Sequence, residues 1–232
     1  MLKLDEKLLA ANKETEILSA YVAGDRIEAS LRENGALLRE LAAAMRRYKP
    51  DQVLFVGSGA SYCTLYSGWY FLRTCSTVRA AHFFGPELVA DDPPALRSGR
   101  VVAILSSYSG KTADTLAASE YLKKLKIPRI ALSKDEKGPL ASGCEHALVY
   151  RDKCLYTSAM ANLLSLLAGF VSLRGEQAVA GELTAALARV PEQMRAAMPR
   201  AERTALEALE TVKDDELFYV LGDGAVWALA YQ

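Results

Sequence analysis

Apolar residues fall into two textures along the chain. Ile27, Leu31, Leu38, Leu41, Met45 and Tyr48 recur at three-, four- and seven-residue steps, which puts them on one stripe of a helix over 25–48. Asp25 and Glu28 form a capping box at its start, and Pro50 ends it. From residue 52 the texture changes to short, nearly continuous apolar runs: Gln52–Val56, Val78–Phe84, Val101–Leu105, Arg129–Leu132 and Ala147–Tyr150. Runs of this kind suit strands covered on both faces. Helical patterns fit between them at Ser61–Leu72, Thr112–Leu125 and Ser158–Leu173. Strands alternating with helices predict an α/β fold, a five-stranded parallel sheet between two helical layers. Gly85–Arg100, with Pro86, Pro93, Pro94 and Gly99, reads as short turns, and 176–211 as helix broken at Pro191.

The end of the chain repeats an earlier passage. Residues 216–225, ELFYVLGDGA, echo residues 51–60, DQVLFVGSGA. Each is an apolar run, then G-x-G-A, then an apolar helical pattern. The expected organisation is a leader and helix over 1–50, one α/β domain over 51–175, a helical linker over 176–215, and the truncated opening of a second copy over 216–232.

Composition narrows the functional classes. The 232 residues are 51% apolar and 24% charged, enough apolar material for a sizeable core. Lys and Arg balance Asp and Glu at 28 each, and binding by phosphate neutralisation normally shows a basic excess. The one basic cluster, Arg46, Arg47 and Lys49, sits at a helix end, where it complements the dipole. No nucleic-acid partner is therefore expected. The N-terminus carries charge throughout and lacks the apolar core of a signal peptide. Leu155–Leu173 is interrupted by Thr, Ser and Asn and falls short of the roughly 20 apolar residues that span a membrane. Cys63, Cys75, Cys144 and Cys154 show no metal-ligand spacing. They read as free thiols in a reducing cytoplasm, with no metal or other cofactor.

Two strand-to-helix turns carry candidate chemistry. Gly57-Ser58-Gly59-Ala60-Ser61 joins the first strand to a helix, where α/β sheets bind ligands and helix N–H groups suit phosphate. A dinucleotide fingerprint fails here, because Tyr62 stands where a third small residue is needed and no acidic residue closes the next strand. Ser106-Ser107-Tyr108-Ser109-Gly110-Lys111-Thr112-Ala113-Asp114-Thr115 follows the third strand. The hydroxyls of Ser107, Ser109, Thr112 and Thr115 crowd one turn. Neutral donors of this density, with backbone N–H groups, can wrap a phosphate dianion. A P-loop is excluded, because Leu105 occupies the position of its first glycine.

VGSGAS together with SSYSGKTADT resembles the sugar isomerase (SIS) domain family, whose second loop reads S-x-S-G-x-T. The resemblance covers about residues 17–173 and restarts at Glu216. It implies a flavodoxin-like three-layer fold. Ser58, Gly59 and Ser61 match the first ligand loop. Ser107, Ser109 and Thr112 match the phosphate loop, with Tyr108 against the sugar. Thr157 or Ser158 matches a third hydroxyl contact. Glu87 lies where many members carry an acidic residue; it also suits a helix-start carboxylate. His82, ending a strand near the site, and Lys111, beside the phosphate loop, are further possible contacts. His146 reads as structural.

The resemblance also implies a partner and a chemistry: a phosphorylated sugar or sugar–amine adduct, and proton transfer between C1 and C2. The family's catalytic glutamate and histidine are expected beyond Gln232, in the second copy. The glutaminase-linked synthases are disfavoured, because they need a cysteine just after Met1, where Leu2 stands. That leaves a phosphosugar aldose–ketose isomerase or a fructosamine-6-phosphate deglycase. The alternative is a non-catalytic sugar-phosphate sensor, although 1–50 lacks the compact basic helices of a DNA-binding domain. A homodimer or higher homo-oligomer is expected.

Overall fold

The computed structural model describes residues 24–97, 99–150, 155–211, 222 and 224. Helix α1 spans Gly24–Tyr48. Then follow β1 (Gln52–Gly57), α2 (Ala60–Cys75), β2 (Arg79–Phe84), α3 (Gly85–Asp91), β3 (Val101–Ser106), α4 (Ala113–Lys124), β4 (Arg129–Ser133), α5 (Pro139–Gly143) and β5 (His146–Val149). A π turn at Leu155–Ala159 leads into α6 (Met160–Leu173), and α7 runs over Gln177–Thr211. The second G-x-G-A passage lies outside the described residues, apart from Gly222 and Gly224.

All strand pairs are parallel and the order is β2-β1-β3-β4-β5. Side chains alternate between two cores, as the pleat requires. Val53, Phe55, Val102 and Ile104 pack with Leu41, Leu65 and Phe170, from α1, α2 and α6. Leu54, Val56, Ala103 and Leu105 pack with Leu88, Ala118, Leu122 and Leu140, from α3, α4 and α5. Helix α2 comes very close to β1, since a Cβ on Gly68 would lie 2.9 Å from the Phe55 ring.

Two segments depart from the sequence expectation. Gly85–Arg100 holds a short helix, α3, and a 3-10 turn over Pro94–Arg97. Helix α7 continues through Pro191 and Pro199. Proline removes one helical hydrogen bond and crowds the preceding turn. A Cβ on Gly24 would lie 2.7 Å from the Pro191 carbonyl oxygen, so the start of α1 is pressed against the helix at its weak point.

Two buried polar clusters tie the layers together. At the C-terminal end of β5, Asn34 donates to the Val149 carbonyl (3.1 Å) and to Asn162 Oδ1 (2.8 Å). Asn162 donates in turn to Ser30 Oγ and to the Ser158 carbonyl, both at 2.8 Å. At the other end of the sheet, the buried Arg129 makes a fork with Glu145. Its Nη2 lies 2.8 Å from Oε1 and its Nε 3.2 Å from Oε2, while Nη1 donates to the Ser119 carbonyl and hydroxyl. Burial opposes both charges, but these hydrogen bonds outweigh it. They raise the Arg129 pKa and lower that of Glu145.

His82 on β2 is enclosed by aromatic rings. It stacks on Tyr62 at 3.8 Å, and its Nε2 lies 2.9 Å from the Tyr62 carbonyl. Burial pushes its pKa down to about 4, against the pull of that carbonyl. The ring is therefore neutral at pH 7, and Nε2–H donates.

Glu145→Gln leaves the buried Arg129 without its half-exposed charge partner, and chemical denaturation should show a loss of about 1–2 kcal/mol. Replacing Arg129 and Glu145 together by methionine should restore most of that loss; no recovery would show that the fork itself is not the source. His82 predicts a pH dependence. The unfolded chain takes the proton near pH 6.5 and the folded chain only near 4, so this group's share of stability falls as the pH drops through that window. The slope is at most about 1.4 kcal/mol per pH unit. Urea unfolding of His82→Phe should be flatter than wild type between those limits, and parallel curves would contradict the assignment.

Candidate functional site

Strands β1 and β3 lie side by side, with Gly57 opposite Ser106. The chain leaves β1 toward α2 on one face of the sheet and leaves β3 toward α4 on the other. Connections that diverge in this way open a crevice at the C-terminal strand ends, the usual ligand position in open α/β sheets.

The first wall is the turn from Gly57 to Ser61. A Cβ on Gly57 would meet the Tyr62 amide nitrogen at 3.0 Å, so the turn folds tightly back on the helix it opens. Gly59 has φ +54, a left-handed conformation that glycine adopts freely. Ser61 is buried in the first turn of α2. The Ser58 hydroxyl is also buried and has no hydrogen-bond partner.

The second wall runs from Ser106 to Thr112. Ser107 and Thr112 hydroxyls lie 2.8 Å apart, and the Thr112 N–H donates to Ser107 Oγ at 3.4 Å. Ser109 Oγ accepts the Lys111 N–H at 3.2 Å. Gly110, at φ +67, lets its N–H return to the Ser107 carbonyl. The loop after β4 supports this wall from behind. A Cβ on Gly110 would lie 3.2 Å from Ser133 Oγ and 3.3 Å from Gly138 Cα, and the Leu140 N–H donates to the Gly110 carbonyl. Tyr108 stands out from the loop, with Lys134 Nζ 3.4 Å from its hydroxyl and 5.2 Å from its ring centre.

Three hydroxyls at this end of the sheet are buried with no hydrogen-bond partner: Ser58, Ser106 and Thr115. Ser106 ends β3 and Thr115 sits in the first turn of α4. Buried polar groups are nearly always satisfied, and stripping a hydroxyl of water without replacement is costly. Around them, the opening turns of α2 and α4 contribute helix N–H groups and their partial positive charge. The arrangement can donate several hydrogen bonds to an oxyanion.

The other sequence candidates are placed as follows. Thr157 and Ser158 share the π turn before α6. Ser158 is buried, with its carbonyl held by Asn162. Thr157 lines an apolar groove of about 210 Å³ between α1, α6 and α7. Glu87 reaches back to the Phe84 N–H at 3.3 Å and so closes the start of α3. Lys111 is exposed beside the second wall. His82 lies within its aromatic stack, and His146 Nε2 is 3.1 Å from the Tyr48 hydroxyl. Sequence reasoning placed Ser106 at the head of the second turn without giving it a contact, and missed Lys134, which only the β4 loop brings to Tyr108. Among the described residues no cluster of three His, Cys, Asp or Glu could hold a metal, and Cys63, Cys75 and Cys144 are free thiols. No described helix is long and apolar enough to cross a membrane.

Solved structures share this architecture. A candidate phosphosugar isomerase from Salmonella typhimurium LT2 superposes with a TM-score of 0.69 at 24% identity, over 81% of this chain and 59% of its own. The C-terminal domain of glucosamine-fructose-6-phosphate aminotransferase from Francisella tularensis gives 0.67 at 20% identity, over 93% and 63%. A candidate phosphosugar isomerase from Bacillus subtilis gives 0.66 at 19% identity, over 92% and 63%. The chain thus spans less than two thirds of each of these structures. No curated protein matches it. The SIS domain family matches residues 48–187, a range that contains the whole sheet and both walls of the crevice, and the chain belongs to that family.

Proposed function

We propose that the chain binds a phosphorylated sugar in the crevice between β1 and β3. The phosphate sits against Ser107, Ser109 and Thr112, and the sugar extends toward Ser58, Gly59, Ser61 and Tyr108. Thr157 or Ser158 supplies a third hydroxyl contact. In this reading the intact protein carries out C1–C2 enolisation, as a phosphosugar aldose–ketose isomerase or a fructosamine-6-phosphate deglycase, and works as a homo-oligomer. The observation that carries the reading is the set of orphaned hydroxyls of Ser58, Ser106 and Thr115 at the strand ends. A polyhydroxylated anion is the ligand class that satisfies such groups. Hydrogen bonds to a charged acceptor contribute about 1.5–3 kcal/mol each, and micromolar affinity needs about 8 kcal/mol in all.

A second reading, a binding module without turnover, has its own support. Both histidines are engaged away from the crevice, His82 by Tyr62 and His146 by Tyr48, and Glu87 is engaged at a helix start.

A thermal-shift titration with glucose 6-phosphate and fructose 6-phosphate tests the site, with glucose and inorganic phosphate as controls. At about 100 times Kd a ligand adds roughly 2.7 kcal/mol, a rise of several degrees. Stabilisation by the sugar phosphates and not by glucose is expected, and no shift with any of them overturns the reading. Conversion of one hexose phosphate into the other, followed by NMR, separates the enzyme from the binding module. Ser106→Ala gives a sharper test. It removes an orphaned polar group, so the ligand-free protein should gain about 1 kcal/mol, while sugar-phosphate affinity drops about tenfold. Unchanged affinity would show that Ser106 does not face the ligand.

A further inference from the structure

The second wall of the crevice carries a charge that its hydroxyls do not use. Strands β3 and β4 stay joined past their ends. The Ser107 N–H donates to the Leu132 carbonyl at 3.2 Å, and the Lys134 N–H to the Tyr108 carbonyl at 3.4 Å. This backbone link puts Lys134 beside Tyr108, and the two side chains meet. Lys134 Nζ donates to the Tyr108 hydroxyl at 3.4 Å and lies 5.2 Å from the ring centre. The ammonium is thus nearer the tip of the ring than its middle.

Lys134 is half-buried, and among the described residues it forms no ion pair. The carboxylates nearby are turned elsewhere or exposed. Asp135 Oδ1 accepts the Lys137 N–H at 2.9 Å within its own turn. Glu87 reaches the Phe84 N–H, and Glu136 is exposed. Hydroxyls and backbone N–H groups on this wall already suit a phosphate. An ammonium is a compact point charge, and here it suits a second anionic group. Tyr108 keeps the two elements apart. Ser107 and Tyr108 adjoin in the chain, yet Ser107 is 1% exposed and Tyr108 36%. The hydroxyls lie at the base of the wall, and the ammonium at the end of a ring that stands out from it.

We propose that Lys134 is a specificity-determining residue, and that the preferred ligand is a phosphorylated sugar with a carboxylate at the end remote from its phosphate. The inference rests on the phosphate position proposed above. With the phosphate on Ser107, Ser109 and Thr112, the sugar runs out along Tyr108, and an anionic group beyond it reaches the ammonium. Two sources share this chemistry. A sugar acid carries the carboxylate in place of its first carbon's carbonyl, and a sugar–amino acid adduct carries it beyond the nitrogen. A plain hexose phosphate leaves the ammonium on Tyr108 with no anion to pair.

Titration calorimetry of the whole chain tests this with three ligands: fructose 6-phosphate, 6-phosphogluconate and the 6-phosphofructosyl adduct of glycine. At least one carboxylated ligand should bind about tenfold more tightly than fructose 6-phosphate, and which one does so names the source. Lys134→Met keeps an apolar stem against Tyr108 and removes the charge. It should bring the ratio of dissociation constants close to one, while Lys134→Arg keeps most of the preference. The ligand-free melting temperature of Lys134→Met should stay within about two degrees of wild type, as for a surface substitution. A ratio unchanged in Lys134→Met overturns the proposal, including the case where all three ligands weaken equally, since Lys134 then serves the phosphate. A wild type that binds all three ligands equally well overturns the proposal and leaves the reading of the crevice standing. A wild type that binds none of the three overturns that reading, and the proposal falls with it.

Discussion

The site depends on how β1 is flanked. Its neighbours are the second and third strands of the chain, one on each edge. A parallel sheet needs a crossover between successive strands. Such crossovers are right-handed, and the step from β1 to β2 runs one way across the sheet while the step from β3 to β4 runs the other way, so the two crossovers cover opposite faces. The chain therefore turns one way after Gly57 and the other way after Ser106, although these residues are paired in register. No side chain has to hold the crevice open. It follows from strand order, and the two hydroxyl-bearing turns stand on its walls because each is the first thing the chain does on leaving its strand.

The polar groups of this domain divide by their partners. Arg129, Glu145 and Ser119 satisfy one another at one end of the sheet, and Asn34, Asn162 and Ser30 do so beside β5. A buried network that is complete in this way fixes the helices against the strands. At the crevice the pattern changes, and Ser58, Ser106 and Thr115 are buried without partners. A fold that satisfies the Arg129 and Asn34 clusters leaves these three hydroxyls unsatisfied where the strands end. Each unsatisfied hydroxyl costs stability, and such costs are common at binding sites.

Much of this was legible from residue patterns. The five strands announce themselves because a sheet covered on both faces demands unbroken apolar runs. The two turns stand out because glycine and hydroxyl residues interrupt those runs at one end only. What escaped the sequence are features decided by distant contacts. Arg129 opens a strand and looks like an ordinary surface charge, yet its partner Glu145 comes from the residues just before β5. Pro191 looks like a helix breaker, yet α7 continues through it with Gly24 packed against it. Ser106 reads as the first residue of a polar turn, and nothing local reveals that its hydroxyl lacks a partner. Thr157 and Ser158 fall in a π turn, whose extra residue per turn blurs the spacing by which helical faces are read.

The backbone contact between Gly110 and Gly138 has a consequence for how the crevice receives a ligand. A Cβ on either glycine would crowd the other's Cα, at 3.3 and 3.4 Å, so the loops after β3 and β4 pack backbone against backbone. The Leu140 N–H bonded to the Gly110 carbonyl joins them again. Fixing a residue's backbone costs on the order of 1–2 kcal/mol, and for this loop that entropy is lost when the domain folds. In the proposed function, an arriving anion would meet donors already in position, and little of its binding free energy would go into ordering the protein.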